Sequence, residues 1–108
     1  MTLLQERDQA RRQRRLQAFA ETRTQLKAAL GELIPGHKVI IFGSLTKAGV
    51  FNDRSDVDLA LETEPPQMGA WRLSSELMDR LHRRVDVVLL PQCRFREKIL
   101  RKGEVWIA

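Results

Sequence analysis

Asp56 and Asp58 stand two residues apart in DVDLALE, residues 56–62, whose apolar members alternate as Val57, Leu59 and Leu61. Side chains two apart on a strand project from the same face. Two carboxylates held that close raise each other's pKa unless a cation lies between them. Magnesium suits the position, because it takes oxygen ligands and is often held by one or two carboxylates plus substrate phosphates. A third carboxylate, Asp86, sits in VDVV, where Val85 and Val87 make an idle charge expensive to bury. If the two strands are neighbours, Asp56, Asp58 and Asp86 converge at one sheet edge as a catalytic and metal-binding set. That set fits metal-dependent transfer of a nucleotidyl group: carboxylates bridge the metal, and the third adds a ligand or takes a proton from the attacking hydroxyl.

The phosphate half of such a site lies upstream. KVIIF, residues 38–42, is closed by Gly43-Ser44. A glycine at a strand end lets a phosphate approach the backbone, and the amides that open the following turn can bind it. Ser44 adds a hydroxyl, and Ser55, directly before Asp56, joins Gly43 and Ser44 as a nucleotide-binding candidate. Each piece alone is weak. Gly-Ser is usually only a turn, D-x-D is common on exposed edge strands, and Asp86 would ordinarily pair with Arg83 or Arg84. Their order along the chain carries the reading.

The elements that must position these residues are legible in outline. Residues 2–33 read as one helix or two consecutive ones, with Leu16, Phe19, Ala20, Leu26, Leu30 and Leu33 as an apolar stripe. Pro35, Gly36 and His37 stop it. The β-branched run 38–42 reads as a buried strand, 56–62 as a half-buried one, and 84–90 as a third, ended by Pro91. A helix over residues 67–83, with Trp71, Leu77, Met78 and Leu81 inward, connects the last two. A helix over 94–102 and a terminal strand in EVWIA complete the order, with Trp106 expected at an exposed end. The fold class is α/β: a small mixed sheet of three to four strands packed against helices.

Composition narrows the classes. The 108 residues suffice for one core, and 43% apolar with 31% charged residues argues against disorder. No apolar run approaches the roughly 20 residues needed to cross a bilayer, and the basic, polar start is no signal peptide. The single Cys93 excludes an internal disulfide and a cysteine-based metal cage. These features suit a cytoplasmic protein without membrane attachment. The net charge of +5 is concentrated in Arg11–Arg15, but aromatics are only 6% and tyrosine is absent, which disfavours direct nucleic-acid binding. That basic run reads as a solvated or partner-binding face. His37 and His82 are isolated in sequence and read as solvated or capping residues.

FGSLTKAGVFNDRSDVDLALE, followed by Asp86 one strand later, resembles the signature of the minimal nucleotidyltransferases, small relatives of DNA polymerase beta and kanamycin nucleotidyltransferase. FREKILRKGEVWIA is similar to the family's closing helix and strand. The resemblance implies a polymerase-beta-like fold, with residues 1–108 as a single nucleotidyltransferase domain, 1–34 its N-terminal helical segment and 38–108 its catalytic core. It implies ATP as donor and Mg2+ as cofactor. Larger relatives carry a further domain for the acceptor; its absence from these residues implies a partner protein. The implied partner is a helical HEPN-type toxin, with AMP passed to a tyrosine hydroxyl and this chain as antitoxin. Two alternatives are a non-catalytic subunit that masks its partner, and transfer to a small molecule or an RNA end. One departure concerns Lys47-Ala48-Gly49, where many members place a basic residue directly before glycine.

Overall fold

The computed structural model describes the whole chain, Met1–Ala108. Helix α1 spans Leu3–Leu33 without a break. Thr2 caps it through a reciprocal pair of hydrogen bonds with Gln5, satisfying donors that the first turn would leave orphaned. At about 1.5 Å per residue α1 is roughly 46 Å long. The five-residue strands beneath it reach only about 17 Å, so the helix outruns the body. Its first dozen residues are exposed, and burial begins only with Ala18, Thr22, Leu26, Ala29 and Leu30. The expected stripe is therefore corrected in its first half. Leu16 and Ala20 are exposed, whereas Leu26 and Leu30 are fully covered.

Four strands follow: β1 (Lys38–Phe42), β2 (Val57–Leu61), β3 (Val85–Leu89) and β4 (Glu104–Ile107). They form one mixed sheet in the order β3-β2-β1-β4. β1 pairs antiparallel with both β2 and β4, while β2 and β3 run parallel. That parallel pair requires a crossover, supplied by helix α2 (Ala70–Leu81). Helix α3 (Arg96–Lys102) leads into β4.

The sheet has two unequal faces. Val39, Ile41, Val57, Leu59, Leu61 and Val85 join Leu26 and Leu30 of α1 and Leu73, Leu77 and Leu81 of α2 in the main core. On the opposite face only Ile40 and Ala60 of the strands are fully buried, covered by Leu90 and by Ile99 of α3. Gly103, between α3 and β4, allows that close cover. A Cβ there would collide with Ile40 and with the carbonyl of Ile99.

The two tryptophans exchange their expected places. α2 buries Leu73, Leu77 and Leu81 at four-residue steps, which turns Trp71 outward, 87% exposed, and leaves Met78 at the rim. In β4, strand alternation points Val105 and Ile107 outward and Trp106 inward, against the main core. No helix is long and apolar enough to cross a membrane.

Candidate active site

Strand register brings two of the three sequence-predicted carboxylates face to face. Asp58 of β2 pairs with Asp86 of the parallel β3, and across the other edge of β2 it pairs with Phe42 of β1. Asp58 and Ala60 share the thinly covered face. Ile99 and Leu90 close over Ala60, and Asp58, two residues nearer the start of β2, lies half-buried beyond that cover. Asp56 precedes β2 and is close enough to perturb Asp58. It does not line the cleft that Asp58 and Asp86 share.

The turn after β1 is built around Asp58. Gly43 follows Phe42 with φ +74°, and a Cβ there would stand 2.6 Å from Oδ2 of Asp58. A side chain would therefore meet both an unfavourable backbone region and a carboxylate oxygen. Residues Gly43–Thr46 form a single 3-10 turn, in which the Thr46 hydroxyl donates to the Gly43 carbonyl at 2.7 Å. Ser44 is half-buried in that turn.

Ser55 is occupied in the loop that delivers Asp56: its hydroxyl oxygen accepts from the Asn52 amide at 3.0 Å. Arg83 fixes the same loop from below, donating to the carbonyls of Asn52 at 3.2 Å and Ser55 at 2.9 Å. Its guanidinium lies over the Phe51 ring, and burial pulls its pKa downward. Sequence reading offered Arg83 only as a partner for Asp86. Arg84 takes that role instead, with Nε 3.3 Å from Asp86 Oδ1.

Electrostatics marks Asp58 out. Burial raises its pKa, and the neighbouring charges of Asp86 and Asp56 raise it further, with Arg84 acting in the opposite sense. Adjoining oxygen donors that repel one another suit a hard divalent cation. No three Asp, Glu, His or Cys side chains converge into a ready-made cage. Asp58 and Asp86 thus supply a pair of carboxylates, with Asp56 alongside.

Two hollows meet at this edge. The larger, about 900 Å³, runs along β3 and is lined by Asp58, Asp86, Arg84, Phe42, Trp71 and Phe95. The smaller, about 350 Å³, holds Gly43, Thr46, Lys47, Lys98 and Lys102, and shares Phe42, Phe95 and Ile99 with the first. Sequence reading missed Lys98 and Lys102, because on a short helix they look like ordinary solvated charges. Their four-residue spacing was the available signal. The basic run opens elsewhere: Arg11, Arg14 and Arg15 face Asn52 and Asp53 in a separate hollow. His37 bonds the Thr63 carbonyl at 2.9 Å, and His82 ends α2 in the left-handed conformation, φ 54°. Neither reaches the carboxylates.

A profile of the family described as polymerase beta, nucleotidyltransferase matches residues 21–107. Among solved structures, a chain of a toxin–antitoxin complex crystallised with AMP-PNP is similar, with a TM-score of 0.58 and 23% identity. The match covers 79% of this chain and 73% of that one. A chain of the toxin–antitoxin MntA–HepT is similar too, with a TM-score of 0.55, 20% identity and coverage of 82% and 73%. At these identities the likeness is one of fold. Among curated proteins none matches significantly.

Proposed function

The chain belongs to the polymerase beta nucleotidyltransferase family, and from that premise we propose that it transfers AMP from ATP to a hydroxyl of a protein partner. The acceptor is a tyrosine of a helical HEPN-type toxin, and this chain is the antitoxin that modifies it in the cytoplasm. The observation that carries the reading is the pairing of Asp58 with Asp86 across parallel strands, against the Gly43 turn. The similar folds of toxin–antitoxin chains, one crystallised with the ATP analogue AMP-PNP, support the partner class.

Each residue has a task in this reaction. Gly43 and Ser44 receive the triphosphate, Gly43 because no side chain stands in the way. Ser55 has its lone pair committed to Asn52, which leaves its proton to donate to a phosphate. Mg2+, held by Asp56 and Asp58 with Asp86 as a further ligand, would neutralise the phosphates and align attacker and leaving group. Where Asp86 is free of that duty, it accepts the proton of the acceptor hydroxyl. The hydroxyl oxygen bonds to the α-phosphorus, the bond to the β-phosphate oxygen breaks, and pyrophosphate departs. Arg84 holds the Asp86 carboxylate in position throughout.

A second reading is masking without chemistry. The exposed first half of α1 and the outward Val105 and Ile107 of β4 offer surface for it. Radiolabelled ATP and magnesium, added to the pair, separate the two. Transfer predicts a labelled partner with wild-type chain and none with Asp58→Asn. Neutralisation by the double variant Asp56→Asn/Asp58→Asn, without label, would establish masking. Label on a small molecule or an RNA end would instead replace the protein acceptor.

A further inference from the structure

The first half of α1 reaches past the sheet edge that carries the carboxylates. At Arg23 the helix is level with the end of β1. Arg23 donates to the carbonyl of Leu45 in the 3-10 turn at 2.9 Å and pairs with Glu104, which stands opposite Ile41. From Arg23 back to Leu3, at about 1.5 Å per residue, the helix continues roughly 30 Å beyond that level. The molecule is accordingly 54 Å long but only 28 and 19 Å in its other dimensions. α1 packs on the main-core face and Asp58 lies on the other, so this arm borders the carboxylate cleft without lining it. The family match begins at residue 21, so the arm lies ahead of the matched residues.

The arm is cationic on the side where the rest of α1 is apolar. Ala18, Thr22, Leu26 and Ala29 form the buried line of the helix, and the same three- and four-residue steps lead back to Arg15 and Arg11. These two and Arg14 face Asn52 and Asp53 across a hollow of about 270 Å³. The four ion pairs of the molecule use none of the three, and Nε of Arg15 is buried without a hydrogen-bond partner. Residues 3–17 hold five arginines and no lysine, interrupted by Glu6 and Asp8. At the tip Leu3 and Leu4 are 76% and 71% exposed. Guanidinium forks match both carboxylates and phosphates. Exposed leucines beside arginine, without lysine, have the composition of a protein interface. The arm also lacks the aromatic platforms on which bases stack.

We propose that this arm docks the acceptor protein, with Arg11, Arg14 and Arg15 pairing with acidic side chains on its surface and Leu3 and Leu4 covering an apolar patch. The acceptor is thereby held at the edge where Asp58 and Asp86 stand. That the docked protein is the AMP acceptor rests on the transfer reading above; the arm as a docking surface for an acidic protein does not.

Stopped-flow association of the full chain with fluorescently labelled partner, without ATP and across ionic strengths, tests the arm. Wild type should associate faster as salt falls. Arg11→Glu/Arg14→Glu/Arg15→Glu should weaken affinity about tenfold or more, mainly through a slower association rate, and should flatten the salt dependence. Arg11→Gln/Arg14→Gln/Arg15→Gln, which only removes charge, gives the same readout if the reversal unsettles the fold. Leu3→Ser/Leu4→Ser should speed dissociation and leave the salt dependence intact. In the transfer assay the arginine variants should raise the KM for the partner and spare both kcat and the KM for ATP. Unchanged association by folded arginine variants overturns the arm. So does a labelled RNA hairpin that binds through these arginines while partner association ignores them; nucleic acid is then the ligand. If the arginine variants weaken association but wild type transfers no AMP, the arm stands and the transfer reading falls. If AMP is transferred and the KM for the partner does not move, transfer stands and the arm falls.

Discussion

Asp58 and Glu104 are both half-buried carboxylates on strands of the same sheet, and their surroundings push them in opposite directions. Glu104 starts the edge strand β4 and is gripped by cations and donors. Arg23 pairs with it, and the Trp106 indole donates to it at 2.6 Å. The Arg23 guanidinium also lies 5.0 Å from the ring centres of both Phe19 and Trp106. Those hydrogen bonds, Arg23 first, hold the Glu104 carboxyl below its ordinary range. Asp58, in the interior strand β2, is surrounded by burial and the charges of Asp86 and Asp56, which outweigh the opposing charge of Arg84, and its pKa rises. One carboxylate is satisfied by the fold; the other is left for something the fold does not supply. Uncompensated charge is costly, and its persistence beside a side-chain-free turn is the electrostatic mark of a site.

The largest expected effect separates the two by activity. Asp58→Asn should cut AMP transfer by about 10³-fold or more, several kcal/mol of lost charge stabilisation. In EDTA at neutral pH its thermal midpoint should equal or exceed wild type, because a repelled charge has gone. Glu104→Gln should do the reverse, leaving transfer within a fewfold and lowering the midpoint. A loss of stability in Asp58→Asn would show that its charge is compensated after all, and the contrast would fail.

Gly43→Ala comes next and tests the wall between turn and carboxylate. Forcing a side chain into the left-handed region costs about 1–3 kcal/mol, and the new methyl meets Asp58 Oδ2. Chemical denaturation should show that loss together with impaired transfer. The same substitution at Gly49, also at positive φ but with open space around it, should cost stability while sparing transfer. Equal effects at both positions would remove Gly43 from the site.

Glu104→Gln itself should be smaller in stability, about 1 kcal/mol. Its side chain is 41% exposed, and solvent screening reduces what the Arg23 pair contributes. Double-mutant analysis with Arg23→Ala should recover a coupling of that order. A coupling near zero would place the pair with the surface bridges Lys38–Glu62 and Arg80–Glu32.

Much of the Asp58 side of this contrast is legible in the sequence, and almost none of the Glu104 side is. Strand 38–42 and the positions of Asp58 and Asp86 follow from local alternation and turn chemistry, because these are short-range signals. Glu104 meets Arg23 across 81 residues of sequence, and no local pattern announces such a pair. The tryptophans fail for a related reason. Trp71 and Met78 are as apolar as the leucines of α2, and only the position of the sheet decides that Leu73, Leu77 and Leu81 form the buried line. Trp106 looks exposed as part of a chain end, yet strand alternation against β1 turns it inward, opposite Val39.

The smallest effect is a sign, and it completes the contrast between the two carboxylates. Glu104 has a lowered pKa in the folded protein, so its contribution is fully present above the unfolded value, about 4.3, and disappears as pH falls through the folded one. Asp58 has a raised pKa, so the folded state retains a proton that the unfolded chain, with a pKa of about 3.9, releases. Stability is then lost as pH rises through that interval, and the cost remains at neutral pH. In EDTA, the wild-type minus Glu104→Gln stability difference should grow from low to neutral pH. The wild-type minus Asp58→Asn difference should move the opposite way over the acidic range, and saturating Mg2+ should shrink or reverse it by supplying the missing charge. Thermal scans from acid to neutral pH read both slopes. Slopes of the same sign would mean that Asp58 is already neutralised by Arg84, and that the edge of β2 and β3 demands no cation.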